Sequence, residues 1–361
     1  MNKFFNAFHI GGRGGSISFK NNIYFEHMVQ NSIFDADEDS EEVIRLKNPN
    51  AKIYSICLDE KKRLRKFFLN KNRYTSSFLE PHHNNLNFYQ DINGKNMLLS
   101  DACEKEKIIE VQTFSLDELK INKKIDNIDF ISLDTQGSEL DILKGAKNCL
   151  TQTIIAIQLE VSLIDFYKEG TTFFLADNFL KENNFLLYSF EPLNVNFFGN
   201  IPSDFIKKKF PSQAEVLYIL DYRSITNDAK LEKLGFFCLL YGYTDIAYQI
   251  INSLKYKNYK FYSDKQYLNF INEFHKLVKA PDMTKFENDE IYDYSKNIIL
   301  KDNITKIFPE YYKYNPLKKF LILLIYDRKS LVNKLTNKFR RKKKRKLDVQ
   351  FEKFLRKYNI T

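Results

Sequence analysis

Residues 128–146 read IDFISLDTQGSELDILKGA, and this stretch decides the fold. Ile128, Phe130, Ile131 and Leu133 form an apolar run with little alternation, the pattern of a parallel strand covered on both faces. The chain then turns at Asp134-Thr135-Gln136-Gly137. Ser138 with Asp141 three residues on has capping-box spacing, and Glu139 falls in the first turn, where a carboxylate suits the positive end of a helix. Leu140, Leu143, Ala146 and Leu150 recur at helical spacing, which gives the predicted helix one face to lay on a sheet. Asp134 is left at the carboxyl end of the strand, where open α/β sheets bind their ligands. A carboxylate there either contacts a ligand or accepts hydrogen bonds from turn amides, and this stretch alone leaves both readings open.

Toward the N-terminus, residues 6–10 predict a first strand that ends in a glycine-rich turn, Gly11-Gly12-Arg13-Gly14-Gly15. Such a turn lets backbone amides approach a nucleotide or nucleoside closely. The dinucleotide pattern GxGxxG fails, because counting from Gly12 and Gly14 its last position is Ile17. A second strand, residues 32–34, ends at Asp35, about 20 residues beyond the glycine turn, the place from which a carboxylate accepts hydrogen bonds from a ribose diol. Its other use is to cap a helix over residues 39–46, a task that Asp37 or Asp39 serves equally well.

Residues 53–58 predict a third strand. Residues 59–111 are harder to read, with a basic run at 61–66 and a histidine pair, His82 and His83, in an Asn-rich polar loop where histidines are ordinarily solvated. Residues 108–114 read as a strand, 115–119 as the start of a helix, and 154–161 as a buried strand with Glu160 near its carboxyl end. A helix over 172–183, a strand over 185–190 and an edge strand over 216–220 complete a doubly wound α/β sheet. From Asp228 the pattern turns helical, with a hairpin around Gly242-Tyr243-Thr244-Asp245 and further helices through Phe274 and Ile298. The apolar run at 320–326 reads as a core helix of this part.

A chain of 361 residues and 43.0 kDa is long enough for a full α/β domain and a smaller second one. The division predicted is a cofactor-binding domain over 1–222, a helical domain over 223–337 and a basic tail over 338–361. No stretch approaches the ~20 apolar residues of a membrane span, and the N-terminus offers no signal peptide. The four cysteines are isolated and make no zinc spacing with the five histidines, so a reduced cytoplasm is the expected compartment. The net charge of +10 belongs largely to the tail: residues 338–346, KFRRKKKRK, hold eight basic residues and no acidic one.

The central stretch resembles the signature of the FkbM-type S-adenosylmethionine-dependent methyltransferases, an Asp-x-x-Gly-x-Glu turn after the fourth strand leading into a Leu-Lys-Gly-Ala helix. The glycine turn IGGRGG, the strand end FDAD, the TSSFLEP loop, the VQTFSLDEL approach, and the strand IIAIQLEV followed by Tyr167 and FLADNFLKENNF resemble the same family in the same order, over about residues 6–221. The resemblance implies a Rossmann-like methyltransferase sheet followed here by a C-terminal helical domain, and S-adenosyl-L-methionine as cofactor. It implies cofactor binding by Gly11, Gly12, Gly14, Gly15, Asp35 and Asp134. The chain departs from the family at His9, where such methyltransferases carry an acidic residue, which leaves the methionine end of the cofactor to another group or weakens its binding.

With an activated methyl on a cationic sulfur, the protein has to align an acceptor and remove its proton. Asp134, Glu139 and Glu160 are the candidate bases, at or beside the carboxyl ends of adjacent strands. Carboxylates converging there also leave metal dependence open. The expected activity is O-methylation of a sugar, a glycan precursor or another small polar metabolite. The tail suggests contact with an anionic membrane surface at the inner face. It equally motivates an RNA methyltransferase, although the sheet domain is not basic. A non-catalytic partner protein with a decayed cofactor site is the reading outside enzymology.

Overall fold

The computed structural model describes residues 3–11, 23–35, 40–89, 98–195, 210–279, 349–350, 353–354 and 356–357. In chain order the first half holds β1 (Phe5–Ile10), β2 (Val29–Phe34), α1 (Glu41–Lys47), β3 (Lys52–Tyr54), β4 (Cys57–Leu58), β5 (Arg63–Asn70), α2 (His83–Leu86), α3 (Leu99–Ala102), β6 (Lys105–Phe114) and α4 (Leu116–Ile121). The second half holds β7 (Phe130–Leu133), α5 (Glu139–Lys144), α6 (Lys147–Gln152), β8 (Ala156–Ser162), α7 (Phe173–Glu182), β9 (Phe185–Val195), β10 (Phe210–Leu220), α8 (Asp228–Leu240), α9 (Thr244–Tyr256) and α10 (Lys265–Lys279).

Seven strands form one sheet in the order β3-β2-β1-β7-β8-β10-β9. The first five run parallel, and β10 lies antiparallel between β8 and β9. The chain starts at β1 and moves outward to β2 and β3, then returns to the other side of β1 with β7. The order therefore reverses between β1 and β7, the switch point at which sheets of this kind open a ligand crevice. The doubly wound reading holds. The residues expected to form an edge strand instead lie inside the sheet, and β9 is the edge.

Alternation along the strands divides the core. Phe8, Ile10, Ile131, Leu133, Ile157, Leu159 and Val161 share one cluster with Leu116 and Leu119 of α4, Ile142 and Leu143 of α5, Cys149 and Leu150 of α6, and Ala176 and Leu180 of α7. The opposite face carries Phe5 and Phe130, whose rings pack on Phe237 of α8 at 6.3 and 5.3 Å. The protein divides into two compact units, Met1–Tyr262 and Ser263–Thr361. Helices α8 and α9 belong to the first, and a functional boundary at 222/223 remains a proposal. In the second, Phe270 of α10 stacks on Phe354 at 5.3 Å and Phe274 packs against it, tilted, at 5.8 Å. The apolar run at 320–326 and the basic run at 338–346 lie outside the described residues.

One expectation for the middle of the chain needs correction. Residues 53–58 split: Lys52–Tyr54 pairs with β2, whereas Cys57–Leu58 joins β6 in a separate three-stranded sheet ordered β4-β6-β5. Residues 63–66 of the basic run open β5, antiparallel to β6. Its arginines point inward because buried Asp59 accepts from Arg63 Nε at 2.6 Å and Arg65 at 2.8 Å, and Arg65 also reaches Asp141 of α5 at 3.1 Å. These pairs fasten the small sheet to α5, and removing one partner would strand a buried charge.

Candidate active site

The turn after β7 is fixed by its own residues and by two loops. Gln136 (φ 56°) and Gly137 (φ 101°) stand in the left-handed region, which makes the turn tight. A Cβ on Gly137 would meet Leu79 at 3.1 Å and Tyr167 at 3.3 Å, so glycine suits both the backbone and the space. Ser77 donates to the Gln136 carbonyl at 2.7 Å, and Thr171 Oγ1 donates to the Gly137 carbonyl at 2.8 Å.

The expected capping box does not form. Ser138 Oγ donates to the Thr135 carbonyl at 3.2 Å, and Asp141 is occupied by Arg65. The N-terminus of α5 is met by Thr171, whose hydroxyl accepts from Leu140 N at 3.0 Å. Glu139 reaches back into the turn, where Oε1 accepts from Thr135 N, Thr135 Oγ1 and Gly137 N at 2.9, 3.2 and 3.1 Å. The single helix expected here is two, broken at Gly145 and Ala146. Gly145 comes so close to the backbone after β4 that a Cβ would lie 2.4 Å from the Asp59 carbonyl oxygen. The inward apolar residues of α5 are accordingly Ile142 and Leu143, with Leu140 half-buried.

A cleft opens at the carboxyl ends of β1, β2 and β7. Its walls include Ile10 and Gly11, Phe34 and Asp35, Leu58, Asp134 to Gln136, and, from the small sheet and its following loop, Phe67, Arg73, Tyr74 and Phe78. The structure thus brings together Gly11, Asp35 and Asp134 of the expected cofactor residues. Gly12, Gly14 and Gly15 lie outside the described residues. Gly11 (φ 85°) donates its N–H to Phe34 O at 3.0 Å, and Asp134 N donates to Ile10 O at 3.0 Å, so β1 and β7 end side by side.

The three expected bases differ in setting. Asp134 is exposed to the cleft, yet the protein around the cleft desolvates it enough to raise its pKa, while a hydrogen bond from Gln136 Nε2 at 2.8 Å draws it back down. Glu139 is buried beneath the turn, and burial lifts its pKa to about 7. Glu160 lies on β8 and accepts from Gln213; burial first, and then the charges of Asp134, Glu139 and Glu215, push it well above the usual carboxylate range. Asp134 is the one of the three on the cleft wall. Among the described residues no group of three or more metal-ligating side chains is placed to hold an ion.

His9 is on the opposite face of β1 from Phe8 and Ile10. It lies 6.1 Å from the Phe130 ring and 3.3 Å from Asn31 Oδ1, and burial lowers its pKa to about 4, so it is neutral at physiological pH. His83 is exposed and His82 half-buried, away from the cleft walls. In the turn network Gln136, which bonds Asp134, was given no role from sequence, and Tyr167, whose hydroxyl bonds Gln136, entered only through the family resemblance.

The sheet order and the cleft at its switch point define a Rossmann-like α/β fold with its crevice where such sheets bind ligands. Residues 19–187 match the family model of the methyltransferase FkbM domain. No curated protein matches the chain. Among solved structures it is similar to the FkbM methyltransferase of Methylobacillus flagellatus KT, at 10% identity and a TM-score of 0.33 over 61% of this chain and 44% of that one. It is also similar to the TehB-like SAM-dependent methyltransferase of Corynebacterium glutamicum, at 8% identity and 0.25 over 61% and 83%. TrmK of M. capricolum, solved with S-adenosylhomocysteine, aligns at 12% identity and 0.27 over 76% and 91%. The chain thus spans less than half the length of the M. flagellatus protein.

Proposed function

We propose that the protein is an O-methyltransferase acting on a hydroxyl of a sugar, a glycan precursor or another small polar metabolite. The observation that carries this reading is the position of Asp134: a carboxylate with a raised pKa, open to the cleft, beside Gly11 at the switch point and held by Gln136. S-adenosyl-L-methionine supplies an activated methyl, and an acceptor hydroxyl then needs a nearby base of suitable pKa to take its proton.

The residues of the cleft fit that cofactor. Asp35 stands at the end of β2 as an acceptor for a ribose diol. Gly11 presents its backbone at the one place where a side chain would collide with Asp134. The neutral His9 faces away from the cleft and takes no charge to it. Phe67, Tyr74, Phe78 and Arg73 leave room on the far wall for an acceptor with both an apolar ring face and polar groups, which suits a sugar.

Calorimetric titration with S-adenosylhomocysteine, on the wild-type protein and on Asp35→Asn, tests the cofactor site. Micromolar binding that weakens about tenfold or more in the variant is expected for loss of charge-assisted hydrogen bonds to a diol. Transfer of a radiolabelled methyl to a panel of sugars and glycolipids then tests the acceptor class. Label that appears on amines or RNA, with none on hydroxyls of the panel, would overturn the O-methyl reading.

A further inference from the structure

Asp134 is held by a side chain that its own turn supplies. The left-handed backbone of Gln136 folds its amide back so that one end lies 2.8 Å from Asp134 Oδ1 and the other 3.0 Å from the Tyr167 hydroxyl. That hydroxyl also lies 2.8 Å from the Thr75 carbonyl oxygen. Four groups therefore stand in a row: the Thr75 carbonyl, Tyr167 Oη, the Gln136 amide and Asp134 Oδ1.

Each of the three contacts in the row needs one hydrogen, and the number present depends on Asp134. When Asp134 is ionised, the amide must turn its N–H toward the carboxylate. The amide oxygen then faces Tyr167, whose single hydrogen is claimed by two acceptors, Gln136 Oε1 and Thr75 O. One contact is left without a hydrogen. Asn70 Nδ2 also donates to the Thr75 carbonyl, at 2.6 Å, but it gives nothing to the contact with Tyr167.

When Asp134 is protonated the count closes. Its O–H donates to Gln136 Oε1, the amide turned by half a rotation donates from Nε2 to Tyr167 Oη, and Tyr167 donates to Thr75. Tyr167 keeps its own proton throughout, since burial holds its pKa well above that of an ordinary tyrosine.

We propose that Gln136 and Tyr167 are positioning residues that form a relay completed only when Asp134 has taken up a proton, so that the turn is built to receive one from the acceptor. The inference rests on the reading of Asp134 as the base. In the step concerned, the acceptor oxygen bonds to the methyl carbon and the sulfur–carbon bond breaks with its electron pair on sulfur. The hydroxyl proton passes to Asp134, and the amide turns over behind it. The carboxylates that feel the charge of Asp134 are Glu139 of α5, Glu160 of β8 and Glu215 of β10, and Asp35 and Arg73 stand on the same cleft walls. Burial already favours a protonated Asp134, and the relay adds a contribution that depends on a single hydroxyl.

The full chain, labelled with 13C at aspartate carboxyls and 15N at glutamine amides, is titrated by NMR. Loss of signals in Asp134→Asn and Gln136→Leu assigns the two groups. The Gln136 amide signals are expected to move with the same midpoint as the Asp134 carboxyl. Tyr167→Phe is expected to lower the Asp134 midpoint by about half a unit to one unit, because the protonated state loses one more hydrogen bond than the ionised state does. Amide signals that stay flat through the Asp134 titration would overturn the relay, and so would a midpoint unchanged or raised in Tyr167→Phe. If Tyr167→Phe fails to fold, the wild-type amide titration decides alone. Titration of the same wild-type sample with S-adenosylhomocysteine reads the cofactor site separately: absence of binding defeats the proposed function, whereas the relay is judged on the carboxyl and amide signals.

Discussion

The carbonyl oxygen of Asp134 stands where residue 11 has no room for a side chain: a Cβ on Gly11 would lie 1.7 Å from it. The close approach comes from β1 and β7 ending side by side, with Asp134 N bonded to Ile10 O. The first glycine of the turn is therefore required by the strand that carries Asp134, before any ligand is considered.

Gly11→Ala is expected to fold poorly or not at all. The left-handed backbone at this position costs a side-chain-bearing residue about 1–3 kcal/mol, and forcing β1 and β7 apart adds a comparable penalty. Urea denaturation should show a loss of at least about 2 kcal/mol, with S-adenosylhomocysteine binding lost in whatever fraction remains folded. A variant of wild-type stability would mean that the two strand ends separate freely.

Asp134→Asn is expected to keep cofactor affinity within a few-fold and to lose methyl transfer by about 10²–10⁴, the usual worth of a positioned base. The assay is radiolabel transfer to whichever hydroxyl acceptor the wild-type protein methylates fastest. A variant with undiminished transfer would move the base to another group, and Glu160 would be the first to examine, since it feels the charges of both Asp134 and Glu139.

Legibility in the sequence varied with how directly a pattern reports a contact. The uninterrupted apolar run into Asp134 marked β7 and the ligand end of the sheet, because burial on both faces leaves that signature locally. Strand β5 was missed because its polarity is inverted: Arg63 and Arg65 turn inward to Asp59, while Leu64 is 67% exposed. Alternation alone cannot reveal a buried ion partner elsewhere in the chain. The place of β10 inside the sheet was equally hidden, since strand order is a property of long-range pairing. At the site, acidic residues at strand ends identified Asp35 and Asp134. The grip of Gln136 and Tyr167 depends on a backbone angle and on a loop 31 residues away, neither of which is written in spacing.

Asp117 shows how a motif can look functional and act structurally. It belongs to the FSLDEL segment, and its two carboxylate oxygens accept from Asn148 N at 2.8 Å and Cys149 N at 3.0 Å, at the start of α6. Asp117→Ala should cost about 1 kcal/mol, as loss of a helix cap does, and leave S-adenosylhomocysteine affinity unchanged. A shift in the urea midpoint without a change in the calorimetric titration is the expected result. Weakened binding would place α6 in communication with the cleft.

The stability of the protein should carry the imprint of Glu139. Its folded pKa of about 7 is raised above the ordinary value of 4.5, chiefly by burial, so the native state holds this proton more tightly than the unfolded chain does. A carboxylate raised in this way favours folding most when it is protonated. Its contribution is fully present below pH 4.5, declines as pH rises to about 7, and is level beyond. The loss across that window is on the order of 3 kcal/mol for a shift of this size. Glu139→Gln keeps an oxygen to accept from Thr135 N and Gly137 N and removes the ionisation. Urea midpoints of wild-type and variant, measured from pH 4.5 to 8, should therefore diverge with rising pH, the variant losing less stability across the window. Taking the difference between the two cancels the other raised carboxylates, Asp134 and Glu160, to the extent that they act independently of Glu139. Parallel curves would mean that Glu139 is ionised in the folded protein throughout the range, and that the amides of the turn outweigh its burial.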